Sequence, residues 1–326
     1  MIAPAAARFA IDAGGSRTRV RVEPVDGPHR IAEYPTINRA AVSADGADAV
    51  LARILTDVRD WIGTDPGVGW LASAAADEHS LRSESVRVGR AAAHHQVNLD
   101  LVLSNDIVPM LWGPPTLGGT GVAVVCGTGS GFLGAHDDGR ILRVGGCEYL
   151  GSDEGSACDL GWRGLRAAVR AADGRGPATD LVAAFETRAG CRVTELAREL
   201  AGEPFPKQHL ARLAPVVCRV WLDDDAVATG LVGAAVDELV LGVRTVAEQL
   251  DLPSGYAVAA VGGVLTGCPE FFAALRARLS REGVDRVELI TDTVTTVAGA
   301  LRHVVGADGR LVLPTALRPH ARLVRQ

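Results

Sequence analysis

The sequence predicts an α/β protein built as two similar halves facing each other across a cleft. Three observations carry this. An apolar run ending in a glycine turn occurs at Phe9-Ala10-Ile11, before Asp12-Ala13-Gly14-Gly15-Ser16-Arg17-Thr18. It occurs again at Gly121 to Cys126, before Gly127-Thr128-Gly129-Ser130. A third apolar strand, Ala257 to Val264, carries the pair Gly262-Gly263. With 326 residues, 48% of them hydrophobic, the chain can bury a large core, and its length favours two domains.

In chain order, residues 8–23 form a hairpin: strand, glycine turn, then Val20 and Val22 alternating with arginines. Ile31 to Tyr34 is a short strand, and Pro35-Thr36-Ile37-Asn38 a loop. Asp48 to Trp61 carries Val50, Leu51, Ile54, Leu55, Val58 and Trp61 at spacings of three and four, an amphipathic helix. Gly67 to Ala75 is a strand, 80–93 a helix, and Leu99 to Leu103 a buried strand ending at Ser104-Asn105-Asp106. A helix starts over Ile107 to Trp112.

Pro114-Pro115 and Gly118-Gly119 mark the crossing between domains. The expected division is 1–115, joined by the closing helix, and 116–326. In the second part His136-Asp137-Asp138-Gly139 turns a hairpin, and Gly145-Gly146 turns the chain again. Asp153-Glu154-Gly155-Ser156 opens a helix through Leu160, Leu165 and Val169. Helices follow over 180–185, 193–200, 207–221 and 226–250, with a closing helix over 292–305 and a surface tail from Pro314.

The net charge is −6, and arginine carries all the positive charge except that of Lys207. Scattered arginines and 4% aromatic residues give no nucleic-acid footprint. Six cysteines without a CxxC pair suit a reduced, cytoplasmic protein. No signal sequence is visible at the start of the sequence, and no apolar run of about 18 residues points to a membrane span.

Glycine N–H groups can approach an anion closely, so both glycine turns are candidate phosphate cradles, with Thr128 and Ser130 adding hydroxyls. Asp106 stands at the C-terminal end of an apolar strand, where open α/β sheets bind ligands. It also suits a helix N-cap, and the residues alone leave both roles open. Asp153 has the same two readings, cap or ligand. Asn38 is an amide able to bind hydroxyls, or an ordinary loop residue.

Together these motifs resemble the sugar kinase and actin-like ATPase superfamily. They are most similar to its N-acetylglucosamine kinase branch, which shares a sequence family with the BadF/BcrA-type ATPases. The resemblance rests on 12–18, 127–130, Gly145-Gly146 through Asp153-Glu154-Gly155-Ser156, and Gly262-Gly263-Val264, and spans residues 9 to 300. It implies two RNase H-like domains with a nucleotide cleft between them, ATP and Mg²⁺, a sugar acceptor and a homodimer. ATP would meet Asp12, Gly14, Gly15, Ser16, Thr18, Gly127, Thr128, Gly129, Gly262 and Gly263, with Asp12 holding Mg²⁺ through water. The sugar would meet Asn38, Asp106, Ser130, Gly146, Cys147, Glu148 and Asp153, with Asp106 as general base.

Three departures stand out. Cys147-Glu148 replaces the family's Trp-Gly, Asp224-Asp225 its Gly-Asp, and Thr296 a proline. A glutamate beside a sugar pocket would be a buried charge needing a partner, which a substrate amine can supply. A BadF-type activator ATPase is the alternative, with Cys126 near the place of a cluster ligand. So is a kinase acting on another sugar or a cyclitol, or a sugar sensor on the same fold. The sensor needs a DNA-binding segment, for which a first strand at residue 9 leaves no room at the N-terminus.

Overall fold

The structure, a computed structural model, describes residues 6–325, positions 40, 64, 98, 116 and 205 excepted. The chain divides into two compact units: residues 1–121, 135–141 and 292–326 form the first, and 122–134 with 142–291 the second.

The first unit opens with β1 (Ala7–Ala13), β2 (Arg17–Glu23) and β3 (Arg30–Pro35), followed by α1 (Ala44–Ile62). Ser43 caps α1, its hydroxyl accepting from the Gly46 N–H, so the helix starts four residues before the expected Asp48. Then come β4 (Gly67–Ser73), α2 (Leu81–His94) and β5 (Leu99–Ser104). Antiparallel pairing joins β1 to β2 and β2 to β3, whereas β1, β4 and β5 run parallel. Among the described residues this gives a six-stranded sheet whose far edge is β11 (Ala321–Val324).

Two expectations are corrected here. The tail beyond Pro314 is not merely a surface segment, because residues 321–324 pair antiparallel with β5, setting Ala321 opposite Ser104. The helix expected over 107–112 is a single 3-10 turn, Val108–Leu111, with Pro109 in its first turn.

The second unit opens on β6 (Gly121–Cys126), β7 (Ser130–Ala135) and β8 (Ile141–Gly145). Next come a single turn, α3 (Glu148–Gly151), and α4 (Ala157–Ala172). Then follow α5 (Leu181–Ala189), α6 (Val193–Ala201), α7 (Pro206–Ala211) and α8 (Ala214–Leu222). The single helix expected over 207–221 is therefore two. Pro215 sits in the first turn of α8, where its missing N–H is harmless; inside one continuous helix its ring would meet the carbonyl four residues back.

The long α9 (Ala226–Leu250) leads to β9 (Ala257–Val261), α10 (Gly263–Gly267), α11 (Pro269–Arg281) and β10 (Arg286–Ile290). Strand order is β10-β9-β6-β7-β8, with β9 parallel to both β6 and β10. The closing helix, α12 (Thr293–Ala300), is shorter than expected and belongs to the first unit, ending in a 3-10 turn over 301–303. There the Thr296 hydroxyl donates to the Pro114 carbonyl, a bond the proline of the family pattern could not make.

By length and composition α9 could cross a membrane, which the sequence reading overlooked. Its buried stripe, including Val232, Val236, Leu239, Val243 and Val246, instead helps fill the core of the second unit. Asp225 caps it, accepting from Ala228 N–H at 2.8 Å, Asp180 N–H at 2.9 Å and the Thr179 hydroxyl at 3.0 Å. Partial burial works against the ionised carboxyl, but these bonds hold it below its ordinary value of 3.8. Asp225→Ala is expected to cost about 1 kcal/mol by urea unfolding at pH 7. A carboxyl with a depressed folded-state value contributes stability above its unfolded value and loses it as pH falls through the folded one. The gap between variant and wild type should therefore close below about pH 4.

Candidate functional site

In the first unit the parallel strands bring three chain ends to one edge. The Asp12–Ala13 end of β1 lies opposite Ala72–Ser73 of β4, and Ala72 lies opposite Ser104 of β5. Asn105 follows, buried, its amide reaching the Ser73 carbonyl at 3.5 Å while its side-chain oxygen accepts from Ile107 N–H. Asn105 is thus the side chain that turns the chain here. The 3-10 turn has Ile107, one residue after Asp106, at its cap position. Asp106 is half-exposed in the turn at the strand end.

The first glycine turn closes with Gly14 N–H donating to Arg17 O at 3.0 Å. The Thr36 hydroxyl donates to Gly14 O at 2.8 Å and accepts from Asn38 N–H at 3.1 Å. This residue, which sequence reasoning did not single out, ties the first glycine turn to the loop of Asn38. Gly15 and Ser16 lie at the turn, Ser16 exposed. Thr18 is fully buried, and its hydroxyl has no hydrogen-bond partner among the described residues.

Thr293, at the start of α12, donates its hydroxyl to Asp12. Burial pushes the Asp12 carboxyl above its ordinary range, against the pull of that hydroxyl and of Arg19 and Arg17. A divalent cation would relieve the same desolvation. Among the described residues no group of three or more His, Cys, Asp or Glu is gathered for a metal. One carboxylate fits the way Mg²⁺ is usually carried, with phosphates and water completing its shell.

In the second unit the turn after β6 and the acidic segment before α4 are bolted together. Ser130 N–H donates to Asp153 Oδ1 at 3.0 Å, and the Ser130 hydroxyl to Glu154 O at 2.8 Å. Ala157 N–H donates to Gly127 O at 2.9 Å and Cys158 N–H to Thr128 O at 3.2 Å. A Cβ on Gly129 would stand 2.6 Å from Asp153 Oδ1, so only glycine lets that carboxylate reach the turn. The cap of α4 is Ser156, accepting from Asp159 N–H. Asp153 is therefore not a cap; it is nearly inaccessible, 4% exposed, with φ +73°.

Gly262 ends β9 with φ +131°, and a Cβ there would stand 2.2 Å from Cys126 O. The Gly262-Gly263 pair and the 127–130 turn thus touch backbone to backbone, an approach that any side chain at Gly262 would block. Cys126 itself is buried, its thiol directed to Gly155 O, and burial pushes that thiol up, away from the thiolate a cluster would need.

Gly146, with φ +69°, leads to Cys147 and Glu148, both exposed. The buried charge expected at Glu148 does not arise. Its carboxylate, 59% exposed, meets Lys207 of α7 at 2.7 Å. The same ammonium stands 2.7 Å from Asp153 Oδ2. Burial draws the Lys207 ammonium down, but Asp153 and Glu148 outweigh it and leave it above its ordinary value. The sequence signal was present, since this is the chain's one lysine, but it reads as composition bias.

Two glycine-turn units of this topology define the α/β fold shared by sugar kinases and actin-like ATPases. A candidate N-acetylglucosamine kinase of Chromobacterium violaceum has the same fold, with a TM-score of 0.65 and 24% identity, over 91% of this chain and 98% of that one. One from Porphyromonas gingivalis gives 0.66 and 16%, over 92% and 99%. The ROK hexokinase of Thermus thermophilus gives 0.52 and 15%, over 91% and 97%.

The chain belongs to the BadF/BadG/BcrA/BcrD ATPase family, which it matches over residues 11–302. It is also 30% identical over 150 residues to an N-acetylmuramic acid/N-acetylglucosamine kinase of Clostridium acetobutylicum. That match covers 44% of this chain, which thus spans about half the length of the curated relative.

Proposed function

We propose that the protein is an ATP-dependent kinase that phosphorylates a hydroxyl of an amino sugar of the N-acetylglucosamine type. The observation that carries this is the bolting of the 127–130 turn to the 153–158 segment. A backbone anion cradle and a sugar-binding carboxylate are thereby held on one rigid piece. The likeness to a kinase acting on N-acetylmuramic acid and N-acetylglucosamine supports the acceptor class.

Within the first unit, Gly14, Gly15, Ser16 and Thr18 are assigned to phosphate, Asp12 to the metal and Asn38 to the sugar. Within the second, Gly127, Thr128 and Gly129 take phosphate, and Gly262 and Gly263 the adenosine. Ser130, Gly146, Cys147 and Asp153 are assigned to the acceptor. Bound ATP supplies the phosphoryl group, and Mg²⁺ neutralises charge on its phosphates. Asp106 accepts the proton of the acceptor hydroxyl as the O–H bond breaks, the new O–P bond forms and ADP leaves.

The test is ADP release with ATP and Mg²⁺ across N-acetylated sugars, free amino sugars, neutral hexoses and cyclitols. Release that depends on an N-acetylated hexosamine is the expected result. Slow release indifferent to every acceptor would replace the kinase by an ATPase.

A further inference from the structure

Lys207 stands apart from everything the resemblance assigned. Its ammonium bridges Glu148 and Asp153 at 2.7 Å each, three groups drawn from α3, the segment before α4, and α7. The approach of α7 is built in. On α4 a Cβ at Gly161 would stand 1.9 Å from the Leu210 carbonyl, so glycine there lets α7 lie against the helix. Asp153 has one oxygen on the Ser130 N–H and the other on Lys207. Asp153 and Glu148 also hold left-handed backbone conformations, φ +73° and +65°, a cost that persists only where the surroundings impose it.

We infer that Lys207 is a specificity-determining residue: a built-in cation that occupies the place a substrate ammonium would take and so directs the site to acceptors that are neutral there. This rests on the sugar-kinase reading. Two carboxylates beside one another need a counter-charge, and here the chain supplies it. An acceptor bearing a free amine must displace Lys207 or bring a second positive charge beside it. An N-acetylated or hydroxylated acceptor does neither. Glu148 accordingly holds Lys207 in place and does not select an amine.

The test measures binding of N-acetylglucosamine and glucosamine by calorimetry to the wild type, Lys207→Met and Lys207→Arg, each checked by thermal melting. The wild type and Lys207→Arg should prefer the N-acetylated sugar. In Lys207→Met the ratio should move toward glucosamine by about tenfold, the worth of one charge-assisted hydrogen bond. Sugar binding with an unchanged ratio in Lys207→Met overturns the inference alone. No binding of either sugar to the wild type overturns the kinase reading, and this inference with it.

Should Lys207→Met not fold, the wild type carrying ¹⁵N at its single lysine reads the same point by NMR. The ε-ammonium resonance should shift with saturating glucosamine, whose amine competes for the same carboxylates, and keep its place with N-acetylglucosamine. An equal response to the two sugars would overturn the inference.

Discussion

Asp106→Asn is expected to lower sugar-dependent kcat by about 10²- to 10⁴-fold, the range that a positioned general base contributes. The substitution keeps the shape and hydrogen-bonding capacity of the side chain and removes its ability to take a proton. Asp106 is half-exposed in a turn whose geometry is set by Asn105, so the fold should not register the change. Stability within about 0.5 kcal/mol of wild type is expected for such a position. Calorimetric binding of sugar should survive while turnover is lost. A variant that keeps more than a tenth of the wild-type kcat would remove Asp106 from the chemistry. Equal loss of binding and turnover would make it a binding group only.

Gly262→Ala should destabilise the second unit strongly, by about 3 kcal/mol or more in urea unfolding. The residue has φ +131°, and the added methyl would stand 2.2 Å from the Cys126 carbonyl oxygen. That carbonyl ends β6, whose Val125 is paired in register with Val261 of β9, so neither side can yield without breaking the central ladder. Gly263→Ala is the control. A Cβ there meets nothing within 4 Å, and its φ lies outside the left-handed region. Unfolding should be unaltered, while nucleotide affinity reads whether adenosine lies against this glycine. Similar unfolding midpoints for the two variants would refute this account of the pair.

The strands and glycine turns were legible in the sequence because their signals are local. Apolar runs ending at glycines mark β1 and β6, and apolar runs ending in small or polar residues mark β4 and β5. Order along the chain also made the motif set readable. What was not legible depends on partners far away in sequence. Residues 321–324 are a strand because they pair with β5, and four residues with Arg322 among them carry no strand signal of their own. Lys207 meets Glu148 across 59 positions, and no periodicity announces such a contact.

The departures from the family pattern were visible as letters, but their meaning was not. Glu148 and Asp224 replace glycines and keep φ +65° each, so the backbone conformation persists where the residue that usually permits it has gone.

The pairing of β11 with β5 bears on the order in which the protein can be completed during synthesis. Residues 122–291 contain the whole second unit, interrupted only by the hairpin tip at 135–141 that belongs to the first, so all its partners have left the ribosome before α12 is made. The first unit begins the chain yet lacks its edge strand and α12 until residues 292–324 emerge. Its N-terminal strands must therefore wait, with the flank of β5 uncovered, while the later-encoded unit folds. Unpaired strand edges are the species that aggregate and recruit chaperones. On stalled ribosomes, protease resistance should accordingly arise first in the second unit, inverting the order of the sequence.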